Sequence, residues 1–180
     1  FDGVDPETLL LEPVVAGKPP TGVVRYPEVL ASLPELEGVA RGLAAFNGAP
    51  DDDAIIRRVP LTVMTGKQPM PGLAVELVRV ATGEEQLVWQ GGTALLGARA
   101  MPADERGRLP LRFGNFPASA VYSAGDILDE TKGPPPGAFT GKIVLIGLGA
   151  LGTADIVATP LATEQFGVLV QAQAVDAILN

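Results

Sequence analysis

Gly141-Lys142-Ile143-Val144-Leu145-Ile146-Gly147 is the stretch that decides the fold class. Four consecutive large aliphatics bounded by glycine read as an interior strand, buried on both faces. Past Pro160, Val168, Ala172, Val175 and Leu179 mark the apolar face of a closing helix over 168–179. Upstream, Leu73, Leu77 and Val80 recur at i, i+4 and i+7, which predicts a helix over 73–81 between Pro71-Gly72 and Gly83. Strands are expected at 23–26, 42–46, 54–64, 87–89, 93–96 and 109–113, and short helices at 28–36 and from Ser123, a helix cap, through Leu128. This alternation predicts a single α/β domain: a mixed β-sheet with flanking helices and a central buried strand near 142–147.

The composition narrows the chemistry. Histidine and cysteine are both absent from the 180 residues. That excludes Ser-His-Asp and Cys-His catalysis, disulfides and zinc sites of the usual kind. Any metal would need oxygen ligands, and no cofactor or metal is expected. Thirteen basic against twenty-one acidic side chains leave a net charge of −8, which argues against nucleic acid as a partner. Trp89 is the one tryptophan, so no stacking platform for single strands is available. No apolar window approaches the ~18 residues of a membrane span. Beginning at Phe1 and ending inside a helical pattern, the sequence reads as an excised or processed piece of a longer chain.

Four features invite chemistry, and each has a plainer structural reading. Gly147-Leu148-Gly149-Ala150-Leu151-Gly152 matches the dinucleotide pattern G-x-G-x-x-G after a strand. Pro160 cuts short the helix that would follow, and no acidic residue sits on a second strand about 20 positions on. A nucleotide-binding enzyme is therefore the least favoured reading. Asp51-Asp52-Asp53 fails as a calcium loop, since Ile56 and Thr62 stand where Gly and Glu are needed. Asp126, Asp129 and Glu130 read as a solvated helix end. Arg57 and Arg58 would point to opposite faces of a strand, one of them pairing with an acid.

Five ordered blocks resemble one family. These are Gly42 to Asn47 with Asp53-Ala54-Ile55-Ile56-Arg57-Arg58-Val59-Pro60-Leu61; Pro71-Gly72-Leu73-Ala74-Val75-Glu76-Leu77; Met101 to Leu109, with Phe113; Tyr122 to Leu128; and Phe139 to Gly147 with Asp155, Thr159-Pro160-Leu161 and Gly167-Val168. Together they resemble the second type of CHASE domain, the cyclase/histidine kinase-associated sensory extracellular domain of bacterial transmembrane receptors. Ala54 replaces the family's usual Gly and suggests a modified turn. The resemblance spans about residues 13–180, with 1–12 a poorly matched N-terminal arm and the family's N-terminal portion shortened.

The resemblance implies a non-catalytic periplasmic or extracellular sensor, membrane-tethered in the full-length protein and leading to a cytoplasmic histidine kinase, adenylate cyclase or serine/threonine kinase. Its implied partners are an unknown small-molecule or envelope ligand and a second copy of the receptor. A non-ligand-binding dimerisation or assembly module is the alternative. Asn47, Asp53, Arg57, Asp155 and Thr159, polar residues of these blocks at strand ends and loops, are the candidate ligand-binding residues.

Overall fold

The computed structural model describes residues 13–48, 50–129, 131–149 and 155–180; the arm 1–12 lies outside them. Strand β1 (Val15–Gly17) lies parallel to β6 (Leu87–Gln90), which continues as an antiparallel meander through β7 (Thr93–Leu96) and β8 (Arg99–Pro102). A second sheet joins β2 (Arg25–Tyr26) in parallel to β4 (Thr62–Thr65), whose antiparallel neighbour is β5 (Gln68–Pro71). Strand β3 (Arg58–Pro60) pairs with β9 (Arg108–Pro110), and β10 (Ile156–Val157) with β11 (Gln165–Phe166), both antiparallel. With helices α1 (Pro34–Glu37), α2 (Leu73–Thr82), α3 (Ala124–Leu128) and α4 (Gly167–Leu179), this is the expected α/β class with mixed sheets.

Local chemistry explains most of these elements. The β6–β7 hairpin turns through Gly91-Gly92, both at positive φ, as a tight primed turn requires. Helix α2 ends at Gly83, whose left-handed φ of 73 closes the last turn. Ser123 caps α3, its Oγ accepting from the Gly125 amide at 3.1 Å, as the sequence predicts.

The core lies where the sheets meet helices α2 and α4. Leu61, Leu87, Leu96, Val75 and Val78 are fully enclosed there, with Val170, Ala174 and Ile178 of α4 closing the cluster. Two polar ties run through it. Trp89 Nε1 donates to Thr62 Oγ1 at 2.9 Å, joining the two larger sheets. Gln173 of α4 clasps Gly114, accepting from its amide at 3.2 Å and donating to its carbonyl.

The structure corrects the expectation at 142–147: no strand forms there. Ile143 and Leu145 are half-buried, Ile143 touching the core, whereas Val144 is 47% and Ile146 94% exposed. A strand is buried on both faces only when it has neighbours on both edges and layers above and below. Here no described strand pairs with the segment, so its aliphatics alternate between core and solvent.

The expected strand over 54–64 is likewise two strands, β3 and β4, broken at Leu61, and Gly42 to Phe46 contributes only a bridge from Ala45 to Gly72. The helix expected over 28–36 is reduced to the single turn of α1.

Candidate functional site

The turn 51–58 is built by charge. Asp51 accepts from Arg58 Nη1 at 2.7 Å, from Arg108 Nη1 at 3.0 Å and from Arg57 Nη1 at 3.3 Å. Arg57 also forks onto Asp53, with contacts of 2.9 and 2.8 Å, and Arg108 reaches Asp104 through Nε at 2.9 Å. The expectation that Arg57 and Arg58 part to opposite faces is therefore corrected. Arg57 precedes β3, so strand alternation does not apply to it, and both guanidiniums converge on Asp51.

Backbone geometry adds strain at the same place. Ala54 is the one non-glycine at positive φ among the described residues, with φ 63. A left-handed L-residue costs about 1–2 kcal/mol, so the turn keeps the shape a glycine would favour while carrying a side chain. It is held by Ala54 N donating to Asp51 O, Asp51 N to Ile55 O, and Ile55 N to Asp53 Oδ1 at 3.2 Å. Beside it lies an open hollow of about 610 Å³ in which Asp51, Asp52, Asp53, Asp104 and Glu105 face Arg57, Arg106 and Arg108.

The electrostatics follow from the pairs. The Arg57 hydrogen bonds, then the Ile55 amide, hold the Asp53 carboxyl down to about 2 from its ordinary 3.8. Burial disfavours the ionised form of Asp51, but Arg57, Arg58 and Arg108 outweigh it and its pKa is also lowered. Arg57 is raised in turn, chiefly by its bonds to Asp53.

A depressed carboxylate contributes stability that is present above the unfolded value and lost as pH falls through the folded one. The Asp53 contribution should therefore vanish between pH 3.8 and about 2. Carboxyl-carbon NMR titration should place the Asp53 midpoint near the lower value in the native protein and move it towards 3.8 in Arg57→Ala.

The five expected residues meet only in part. Asp53 and Arg57 are a direct pair, 51% and 39% exposed. Thr159 is buried and closes a turn, its hydroxyl accepting from the Ala162 amide and donating to the Ala162 carbonyl. Asp155 packs against Gly167, whose amide donates to the Asp155 carbonyl, so it shapes the start of α4. Asn47 is exposed, beside the Phe46 carbonyl that accepts from Gln171 of α4 at 3.4 Å.

The segments are nonetheless linked, since Ile56 N donates to Ala158 O at 2.8 Å. Asp51, Arg58, Asp104 and Arg108 were not among the expected residues. Their signal lay in the Asp104 and Arg108 that flank a hairpin in a family block. Of the glycine motif, Ala150 to Gly152 lie outside the described residues; Gly147 packs on Val168 and Gly149 faces Phe166.

The family model of the CHASE2 domain matches residues 8–180, and the chain belongs to that family. CHASE2 domains are extracellular sensory domains of membrane receptors. Comparison with curated proteins and with solved structures found no match. Among the described residues, no helix is long and apolar enough to cross a membrane.

Proposed function

We propose that this domain is the periplasmic sensor of a bacterial transmembrane receptor, and that it reads a charged small molecule or envelope fragment at the Asp53–Arg57 turn. The observation that supports the reading is a left-handed non-glycine turn clamped by ion pairs over a solvent-open hollow. Strained backbone persists where surrounding structure holds it, and such positions cluster at binding and switching sites.

A ligand carboxylate or phosphate competing for Arg57 would release Asp53 and let the turn relax. The turn bridges to Ala158, and Asp155 just before it meets the start of α4. A change at 51–56 therefore has a short hydrogen-bonded route to the last helix, which would pass it to the membrane. The ligand acts by binding one arrangement of this route better than the other. The domain binds without turnover, and kinase or cyclase output belongs to the parent receptor.

A thermal-shift panel of carboxylates, phosphates, amines and envelope fragments tests this. A cognate ligand at 100-fold its Kd should stabilise the domain by about 2.7 kcal/mol. Arg57→Ala should abolish the shift while leaving the domain folded. Stabilisation that survives Arg57→Ala, or none across the panel, would count against this site.

A further inference from the structure

We infer that Asn47-Gly48 is a self-modification site: Asn47 cyclises onto the Gly48 nitrogen and reopens chiefly as an isoaspartyl linkage, which loosens this segment's hold on helix α2. This goes beyond the sensory reading, because the chemistry proceeds whether or not the Asp53–Arg57 turn takes a ligand.

The reaction needs only this chain and water. The Gly48 amide nitrogen gives up its proton and attacks Asn47 Cγ. An N–Cγ bond forms, the bond from Cγ to the side-chain nitrogen breaks, and that nitrogen leaves as ammonia, taking the proton. Water then opens the cyclic imide. Opening at Cγ leaves an aspartyl residue. Opening at the main-chain carbonyl leaves an isoaspartyl linkage, with the chain running through the side chain and the α-carboxylate free.

Cyclisation requires an accessible side-chain amide, a nitrogen that no hydrogen bond holds, and backbone freedom at the second residue. Asn47 and Gly48 are both exposed. Among the described residues, neither the Asn47 side chain nor the Gly48 nitrogen has a hydrogen-bond partner. Gly48 has no Cβ to block the approach, and glycine reaches dihedrals closed to other residues. The other two asparagines lack this combination. Asn115 is exposed but followed by the bulky Phe116, and Asn180 Nδ2 donates to Asp176 Oδ1 at 2.9 Å.

The neighbours give the modification its effect. On one side, Ala45 N donates to Pro71 O at 3.0 Å and Leu73 N to Ala45 O at 2.8 Å, seating the segment on the start of α2. Phe46 O accepts from Gln171 of α4. On the other side, a Cβ at Gly48 would lie 3.0 Å from Ile56 Cδ1, so the chain fits closely there. The isoaspartyl linkage inserts an extra main-chain carbon between these two anchors and adds a negative charge to a chain already at −8. Ile56 is 5% exposed and fixed in the core, so the displacement falls on the Ala45 ladder.

The test is peptide mapping by mass spectrometry of the whole domain after incubation at mildly alkaline pH. The Asn47 peptide should gain one mass unit and split into isoaspartyl and aspartyl isomers, the first in excess. It should do so about tenfold or more faster than the Asn115 peptide, and Gly48→Ala should slow it by a similar factor. In the isoaspartyl form the Ala45 and Leu73 amides should exchange with solvent faster than in the unmodified protein. Asn47→Asp adds the charge with the main chain unaltered, and should leave that exchange as it was.

An Asn47 peptide that changes no faster than the Asn115 peptide would overturn the proposal. So would an unchanged rate in Gly48→Ala, because water would then attack the side chain without cyclisation. Unaltered exchange at Ala45 and Leu73 in the isoaspartyl form, or the same acceleration in Asn47→Asp, would overturn the effect on the ladder.

Discussion

Glu76→Ala should cost the domain about 3–5 kcal/mol, the effect of leaving one partner of a buried ion pair alone. Glu76 is 4% exposed inside α2, and Arg79, one turn on, lays both arms of its guanidinium on the carboxylate at 2.7 Å. The same guanidinium reaches the Glu84 carbonyl at 3.0 Å and the Glu85 carbonyl at 3.3 Å, binding the helix end to the chain that enters β6. Gly42 lies so close to the Glu76 carboxylate that a Cβ there would overlap it.

Removing the carboxylate takes the anionic partner from Arg79, which keeps its carbonyl contacts, and Arg79→Ala leaves the buried Glu76 carboxylate without that guanidinium. Combining Glu76→Ala with Arg79→Ala removes charge and partner together, and should cost less than the sum of the two single changes. Urea denaturation of the four proteins closes the cycle. For a domain of this size the single variants should melt roughly 10 °C lower. A double variant as unstable as the sum of the singles would show that no coupled pair exists.

Trp89→Ala should be nearly as damaging, at about 3–5 kcal/mol for a large aromatic removed from the core. Trp89 is 4% exposed, and its Nε1 meets the hydroxyl of Thr62, which is fully buried. The milder change Trp89→Phe keeps much of the packing but leaves the Thr62 hydroxyl without that bond, a penalty of about 1–3 kcal/mol. Adding Thr62→Val to Trp89→Phe should recover part of this loss, since no buried hydroxyl then lacks a partner. Thr62→Val alone can be followed by the fluorescence of the single tryptophan, which should shift if the two sheets separate locally. Equal stability of Trp89→Phe with and without Thr62→Val would argue that the bond contributes little.

Both predictions concern residues whose weight was not readable in one dimension. Glu76 stands in a recognisable family block, yet only the fold shows that it is buried and forked by Arg79. Trp89 reads as a strand residue; that its ring nitrogen crosses to another sheet depends on a segment 27 positions away. The ionic turn is similar. Asp53 and Arg57 are four apart and their pairing is local, whereas the 57-residue separation of Asp51 and Arg108 closes only when β3 meets β9.

By itself the sequence determined what neighbours in the chain can settle. Periodicity placed α2 and α4 along the chain, the serine cap placed α3, and five ordered blocks carried the family. The faces read as Leu73, Leu77 and Val80, and as Val168, Ala172, Val175 and Leu179, are, Val175 apart, not the buried ones. The core takes Val75 and Val78 of α2 and Val170, Ala174, Val175 and Ile178 of α4. Absent histidine and cysteine removed whole classes of chemistry. The tertiary structure alone decided what remote neighbours supply. Ile143-Val144-Leu145-Ile146 has the composition of an interior strand, but burial is a property of what packs on each face. In this fold Ile143 meets the core while Val144 and Ile146 meet solvent.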